Sequence, residues 1–386
     1  MKFKILVIGH HIIVDDYQTF WVEAAKENPD LDITLVYPEK YYQNGSIVEA
    51  NQSVKNDCLK RITLPTIFGE NGRQHLFIFR KLEEVIDKTT PDFVYAIEEA
   101  NSLVTYQIAK ICSRKRIRYS FWSSLNVYRN YSEMYGYLNP RRYLFNLSQK
   151  NTFKTASLAH FTTTNAHKVA MKQGYSGDYI ISQTHGVSDM FYDAYKKRKD
   201  VTNKKKITIG YAGRYWHWKG LDILIKAISE IHHNHEKIDL VMYGDGEKEV
   251  ELKELAKRLN VEVTWMPAVS YNNMPEVFLE FDIFVLPSLT RNGINEKFGR
   301  VLIEAMATGC AVIGSNDGGI PNVIKNNGLL FNPGDSENLK NCIEKLIETD
   351  TLKRYQEKGH AYAIKEHSYK FVSRKMINQL RMKLGI

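Results

Sequence analysis

The stretch Ile207-Thr208-Ile209-Gly210-Tyr211-Ala212-Gly213-Arg214-Tyr215-Trp216-His217-Trp218-Lys219-Gly220-Leu221 reads as a buried strand, a basic loop and the first turn of a helix. Residues 207–212 form a short apolar run, and Leu224, Ala227, Ile228 and Ile231 recur downstream at helical spacing. A strand passing through a short loop into a helix is the repeating unit of a parallel sheet. The same alternation runs along the whole chain. Strands are expected at 4–8, 33–37, 93–97, 118–121, 158–162 and 179–183, and again at 207–212, 240–243, 261–265, 283–286, 311–313 and 329–331. A chain of 386 residues exceeds one comfortable core, so two doubly wound α/β domains are expected. The pattern pauses at 195–206, where Lys196-Lys197-Arg198-Lys199 and Lys204-Lys205-Lys206 bracket a polar stretch that reads as the linker. The expected division is 1–198, 199–366 and a final segment 367–386.

Composition narrows the class. The sequence is 43% hydrophobic and 25% charged, ordinary for a soluble protein, and no apolar run is long enough to span a bilayer. The run after Met1 is too short for a signal peptide and reads as a first strand. Cys58, Cys112, Cys310 and Cys342 are far apart and form no Cys-x-x-Cys pair, which fits a reducing, cytoplasmic setting. The net charge of +9 is unevenly spread: residues 101–177 hold twelve Lys or Arg against the single acid Glu133. Such a region suits an anionic partner, whether membrane surface, nucleic acid or phosphorylated carbohydrate.

In open parallel sheets ligands bind beyond the carboxyl ends of the strands, so the loops there hold the candidate site. Gly213, Arg214 and Lys219 lie in such a loop, where two fixed cations and a helix N-terminus suit a diphosphate. Gly244 and Gly246 follow the next strand and let backbone approach a ligand closely. The most informative segment is Glu296-Lys297-Phe298-Gly299-Arg300-Val301-Leu302-Ile303-Glu304-Ala305-Met306-Ala307-Thr308-Gly309. A helix is expected from about Gly299, burying Val301, Leu302, Ala305 and Met306, with Glu296 in the preceding loop. One of the two glutamates suits sugar hydroxyls and the other a ribose diol. The backbone N–H groups of residues 298–301 would face phosphates.

This half of the chain resembles the GT-B retaining glycosyltransferases of family 4. The Gly-Arg-x(4)-Lys-Gly loop, the Gly-x-Gly turn, the Glu-x(7)-Glu segment and Gly318-Gly319-Ile320-Pro321 occur in family order. The resemblance implies two Rossmann-like domains facing each other across a cleft, with a C-terminal helix returning to the first. It implies a nucleoside-diphosphate sugar donor, UDP- or GDP-linked, and retention of anomeric configuration. Arg214 and Lys219 would bind the diphosphate, Glu296 the transferred sugar and Glu304 the ribose. Asn322 stands where many members have Glu, and Pro267 where Gly is common. Residues His10-His11-Ile12-Ile13-Val14-Asp15-Asp16 replace the glycine-rich loop that many members carry after strand one. No cofactor or metal is expected. Asp30-Leu31-Asp32 precedes an early strand at the wrong end for a site, and His232, His233 and His235 end a surface helix without a carboxylate partner.

Strand-end logic places the acceptor against His10, His11, Glu98, Glu99, Trp122, Ser123, Ser124 and Asn126. The segment 128–154 mixes Tyr131, Tyr135, Tyr137, Tyr143 and Phe145 with Arg129, Arg141, Arg142, Lys150 and Lys154, and Asn139-Pro140 suits a helix start. Aromatics beside cations suit the membrane interface. The expected function is a hexosyltransferase of glycolipid or cell-envelope polysaccharide assembly, cytoplasmic and peripheral at the membrane's inner face. Transfer to a nucleic acid or small molecule is the alternative, though no nucleic-acid-binding motif supports the former. A non-catalytic nucleotide-sugar-binding protein is the alternative of another class.

Overall fold

Runs of consecutive apolar residues, without alternation, mark strands covered on both faces. Ile283–Leu286 and Ala311–Ser315 are buried throughout, and so are Phe93–Ala96 and Leu158–Phe161. The computed structural model describes all residues except 1, 44–45, 52–57, 73–74, 126–127, 129–130, 132–135, 137, 202–203, 232–237 and 292. Among the described residues these runs assemble into two large sheets, one in each of two units. The first unit is Met1–Gly186 with Tyr369–Ile386, and the second is Val187–Ser368.

The first unit's seven-stranded sheet runs Tyr179–Ile181, Leu158–Phe161, Arg118–Ser123, Phe93–Ala96, Phe3–Ile8, Leu31–Pro38, Lys60–Leu64, all neighbours parallel. The second unit's six-stranded sheet runs Val263–Met266, Ile238–Tyr243, Ile207–Ala212, Ile283–Leu286, Ala311–Ser315, Leu329–Phe331, also parallel. All twelve expected strands are present. In each sheet the chain starts centrally, winds outward, then returns to the other side of its first strand. The two reversals fall between Phe3–Ile8 and Phe93–Ala96, and between Ile207–Ala212 and Ile283–Leu286. At such reversals adjacent loops diverge and leave a crevice.

Three features differ from the sequence reading. Lys60–Leu64 is an unexpected edge strand, half-exposed and mixed in polarity. Short antiparallel pairs, Lys40–Gln43 with Ser46–Glu49 and Thr66–Ile67 with Ile78–Phe79, were likewise not expected. The units also divide at Gly186/Val187 rather than near 198. In the basic stretch Lys196, Lys197 and Lys206 are exposed, but two of its cations are seated on the second unit. Phe191 is fully buried in the second core. Arg198 donates to the carbonyls of Phe281 (2.5 Å) and Thr308 (3.1 Å), and Lys204 pairs with the buried Asp282 carboxylate at 2.7 Å.

The last helix, Tyr369–Leu384, belongs to the first unit. It lays Val372, Met376, Ile377 and Leu380 into that core, and Arg381 reaches Asp30 at 2.8 Å. Asp32, the other acid of the early Asp-x-Asp, pairs with Lys60 at 2.8 Å. Both acids therefore have structural partners. Met376 is fully buried whereas Met382 is 84% exposed on the same helix. Met376→Ala should cost about 2–5 kcal/mol and lower the urea midpoint of the first unit, while Met382→Ala leaves it unchanged. Equal midpoints for the two variants would contradict this packing.

Candidate active site

The second unit's reversal brings two loops together. Lys219, at the end of the loop after Ile207–Ala212, places Nζ 2.6 Å from Glu296 Oε2 in the loop after Ile283–Leu286. The two side chains are only 14% and 17% exposed, so their attraction is weakly screened. Lys219 Nζ also lies 4.2 Å from the centre of the Trp218 ring. Gly220 caps the helix Leu221–Ser229 with φ of 65°, and a Cβ there would stand 2.1 Å from the Pro287 carbonyl oxygen. Only glycine lets the loops approach this closely. Glu296 is fixed from behind, since its carbonyl accepts from Gly319 N–H at 2.7 Å. Thr290 in the same loop donates its N–H (2.6 Å) and hydroxyl (2.5 Å) to the Asp317 carboxylate.

Arg214 is brought to Asp245 by strand register. Ala212 faces Tyr243 across neighbouring parallel strands, so the residues two further on meet. The Arg214 guanidinium and Asp245 carboxylate form an ion pair, each about half exposed. Gly213, Arg214, Gly244, Asp245, Val269 and Met274 border an open pocket of about 230 Å³. Gly246 packs its Cα against the Tyr215 backbone, and Tyr215 N–H donates to Asp245 O at 2.7 Å.

Glu304 sits on the helix Arg300–Ala307, capped by Gly299 with φ of 83°. Leu302, Ala305 and Met306 are buried as expected; Val301 is only partly so. Glu304 itself is buried, 4% exposed, with Arg300 Nε at 2.8 Å and the Tyr271 hydroxyl donating at 3.1 Å. Arg300 also bonds the Tyr271 hydroxyl and stacks on its ring at 4.8 Å. Phe298 is partly buried against the second core. The sequence reading missed Asp245, Tyr271 and Asp317. Asp245 was recoverable from register, because Gly213-Arg214 and Gly244-Asp245 follow paired strands. Tyr271 lay in an irregular turn with no spacing signal.

In the first unit the reversal joins the chain segments around His10 and Glu98. Glu98 Oε1 accepts the His10 backbone N–H at 2.8 Å and contacts His10 Nδ1 at 2.5 Å. Both side chains are buried, 3% and 2% exposed. Burial holds the His10 pKa down to about 3 and pushes Glu98 up to about 7. The contact is therefore a hydrogen bond to a neutral imidazole rather than an ion pair. These two residues, expected to touch substrate, instead bond each other and shape the loop from behind. His11 and Trp122 do line a pocket, with Tyr17, Ile97, Thr184 and His185. Trp122 Nε1 is buried without a hydrogen-bond acceptor among the described residues. Glu99 accepts from Ser124 N–H at 3.0 Å, and Ser123 Oγ accepts from Leu125 N–H at 3.3 Å. Asn126 lies outside the described residues, as do His232, His233 and His235.

Residues 194–363 match the family described as glycosyl transferases group 1. A phosphatidylinositol N-acetylglucosaminyltransferase gpi3 subunit from Schizosaccharomyces pombe is 32% identical over 152 residues, which cover 39% of this chain and 32% of that protein. A GDP-mannose-dependent monoacylated alpha-(1-6)-phosphatidylinositol monomannoside mannosyltransferase from Corynebacterium glutamicum is 29% identical over 168 residues, covering 42% and 44%. The chain thus spans less than half the length of these curated relatives. The solved structure of Anabaena Alr3699/HepE in complex with UDP is alike over 99% of this chain and all of its own, with a TM-score of 0.67 and 17% identity.

The Glu98 carboxyl makes stability depend on pH. Its raised pKa means the folded state holds the proton more tightly than the unfolded chain. That stabilisation is complete below about 4.5 and is lost as pH rises through about 7. His10 has the opposite sign: its contribution is present above 6.5 and is lost as pH falls towards about 3. Glu98→Gln keeps an acceptor for the His10 N–H and removes only the first effect. The wild type should lose roughly 1–3 kcal/mol more than Glu98→Gln between these limits, read as the pH dependence of the melting temperature. Parallel profiles would contradict the assignment.

Proposed function

We propose that this chain, whose residues 194–363 match the glycosyl transferases group 1, moves a sugar from a nucleoside-diphosphate donor to a hydroxyl of a glycolipid or cell-envelope polysaccharide acceptor, with retention of configuration. The observation that carries this reading is the meeting of Lys219 with Glu296 at the second sheet's reversal, with Arg214 of the Lys219 loop edging a pocket. The fold is that of GT-B glycosyltransferases, with two Rossmann-like units.

In this reading the donor diphosphate accepts hydrogen bonds from Arg214 and Lys219. Lysine has three N–H donors, so Lys219 keeps two for phosphate while one holds Glu296. Arg214 exchanges the exposed Asp245 carboxylate for phosphate at little cost, because exposed ion pairs contribute little. Glu296, anchored through its own backbone, accepts from hydroxyls of the transferred sugar. The N–H groups at the start of the helix Arg300–Ala307 add positive potential. Glu304 orients Arg300 and Tyr271 as well as serving the ribose, since its carboxylate is held by both.

As the bond from the anomeric carbon to the diphosphate oxygen breaks, negative charge grows on the leaving group. Fixed cations stabilise that charge without reorganising. The acceptor hydroxyl attacks the same face, its oxygen bonds the anomeric carbon, and its proton passes to the departing phosphate. No separate base is then required. The family resemblance and this charge placement both support retention. The pocket around His11 and Trp122 suits an acceptor that presents an apolar ring or chain and an oxygen for the indole N–H. The phosphatidylinositol-directed names of both curated relatives support a lipid-linked acceptor.

A melting-temperature panel of nucleoside diphosphates and their sugars identifies the donor, since ligand binding stabilises only the folded state. Arg214→Ala and Lys219→Ala should each lower donor turnover by about 2–4 kcal/mol of barrier, and Glu296→Ala should lower it as well. Turnover equal to wild type in Arg214→Ala and Glu296→Ala would refute the site. Because the cations supply the neutralisation, EDTA should leave turnover unchanged. Activity that requires added Mg²⁺ or Mn²⁺ would overturn this part of the mechanism.

A further inference from the structure

The helix Pro140–Thr155 in the first unit carries large apolar residues on its outer face as well as its inner one. Asn139 caps it, its side-chain oxygen accepting Arg141 N–H at 3.0 Å, and Pro140 opens the first turn. Three polar residues, Ser148, Gln149 and Thr152, point inward with Phe145. Ser148 Oγ donates to the carbonyls of Ser102 (2.7 Å) and Ala100 (3.1 Å), and Gln149 donates to Gln173 at 2.9 Å. Phe145 and Phe153 pack inward, while three large apolar residues face out: Tyr143 is 60% exposed, Leu144 41% and Leu147 55%. A helix that serves only its own core keeps its apolar residues on the one inner face.

The outward stripe has a second component. Tyr143, Leu147, Lys150 and Lys154 follow one another at intervals of four, three and four, which sets them on one helix face. Lys150 and Lys154 are exposed, and the helix contains no acid. Elsewhere in the basic region cations are partly neutralised, as Arg114 and Lys115 are by Glu83 and Asp87. Neither Lys150 nor Lys154 has a carboxylate partner among the described residues. Leu138, 98% exposed, stands just ahead of the first turn. No helix among the described residues is long and apolar enough to cross a membrane.

We propose that the outward face of Pro140–Thr155 docks on an anionic phospholipid surface. Tyr143, Leu144 and Leu147 enter the headgroup and acyl boundary, and Lys150 and Lys154 meet the lipid phosphates. Apolar side chains flanked by lysines are the arrangement that binds such an interface, and charge complementarity selects anionic lipid over neutral lipid. A nucleic acid would use the lysines and leave the leucines exposed to water. The inference stands on this helix alone, independently of the transfer reaction.

Co-sedimentation with vesicles tests it. The full chain should bind vesicles of phosphatidylcholine mixed with phosphatidylglycerol, weaken as salt is raised, and bind phosphatidylcholine alone far less. Lys150→Gln with Lys154→Gln should weaken partitioning roughly thirtyfold, about the effect of two surface lysines. Leu144→Glu with Leu147→Glu should abolish it. All four positions are outside the core, so melting temperature and its rise with nucleoside diphosphate should stay as in wild type. Vesicle binding unchanged in both double variants would overturn the proposal. So would a wild-type dimer that Leu144→Glu with Leu147→Glu converts to monomer, because a second copy would then cover this face. If donor stabilisation fails while vesicle binding persists, the catalytic reading falls and this one stands; the reverse result separates them the other way.

Discussion

The candidate site of the second unit is organised around the contact between Lys219 and Glu296, a charge pair largely withdrawn from water. Its two halves come from loops on either side of a topological reversal, and sequence spacing alone would leave them 77 residues apart. Bringing them within 2.6 Å requires loops that approach closely, which the absence of a side chain at Gly220 permits. A partly buried lysine or glutamate alone would carry an uncompensated desolvation penalty, so each makes the other tolerable. The surrounding bonds from Gly319 and Asp317 hold the acidic loop in place, so the pair is positioned by backbone rather than by its own flexible side chains.

The same logic recurs at two neighbouring positions, with different burial and therefore different consequences. Arg214 and Asp245 lie in water and attract each other weakly; that pair can open. Arg300 and Glu304 are mostly enclosed with Tyr271, and that group acts as a brace. The site is thus a graded series of cation–carboxylate contacts rather than an unbalanced basic pocket. Such a series can exchange its outermost carboxylate for phosphate while the inner members keep their geometry. Preorganisation of this kind is what electrostatic catalysis requires.

The first unit handles charge in the opposite way. Its reversal holds His10 and Glu98 in a hydrogen bond from which water is excluded, and burial drives both groups towards their neutral forms. The pocket of this unit is lined by His11 and Trp122 among mostly apolar groups. The two units share a topology and differ in chemistry: one is suited to anionic phosphate, the other to a group with an apolar face.

Much of this was legible without coordinates. Strand positions follow from runs such as Ile283–Leu286, because burial on both faces leaves no room for polar alternation. The helix starts at Gly220, Gly299 and Asn139-Pro140 follow from local backbone chemistry. Lys60–Leu64 escaped notice because an edge strand exposes one side and so reads as mixed polarity. The basic run at 196–206 was misread for a related reason: composition cannot tell a solvated lysine from one seated on Asp282. Sequence by itself determined the alternation of strands and helices and the residue types at each strand end, since these depend on local burial and backbone preference. Only the tertiary structure decided which charge meets which, that His10 is sealed behind the surface, and that Pro140–Thr155 turns its leucines outward. Those outcomes depend on strand register and on the packing of segments tens to hundreds of residues apart, which no local pattern encodes.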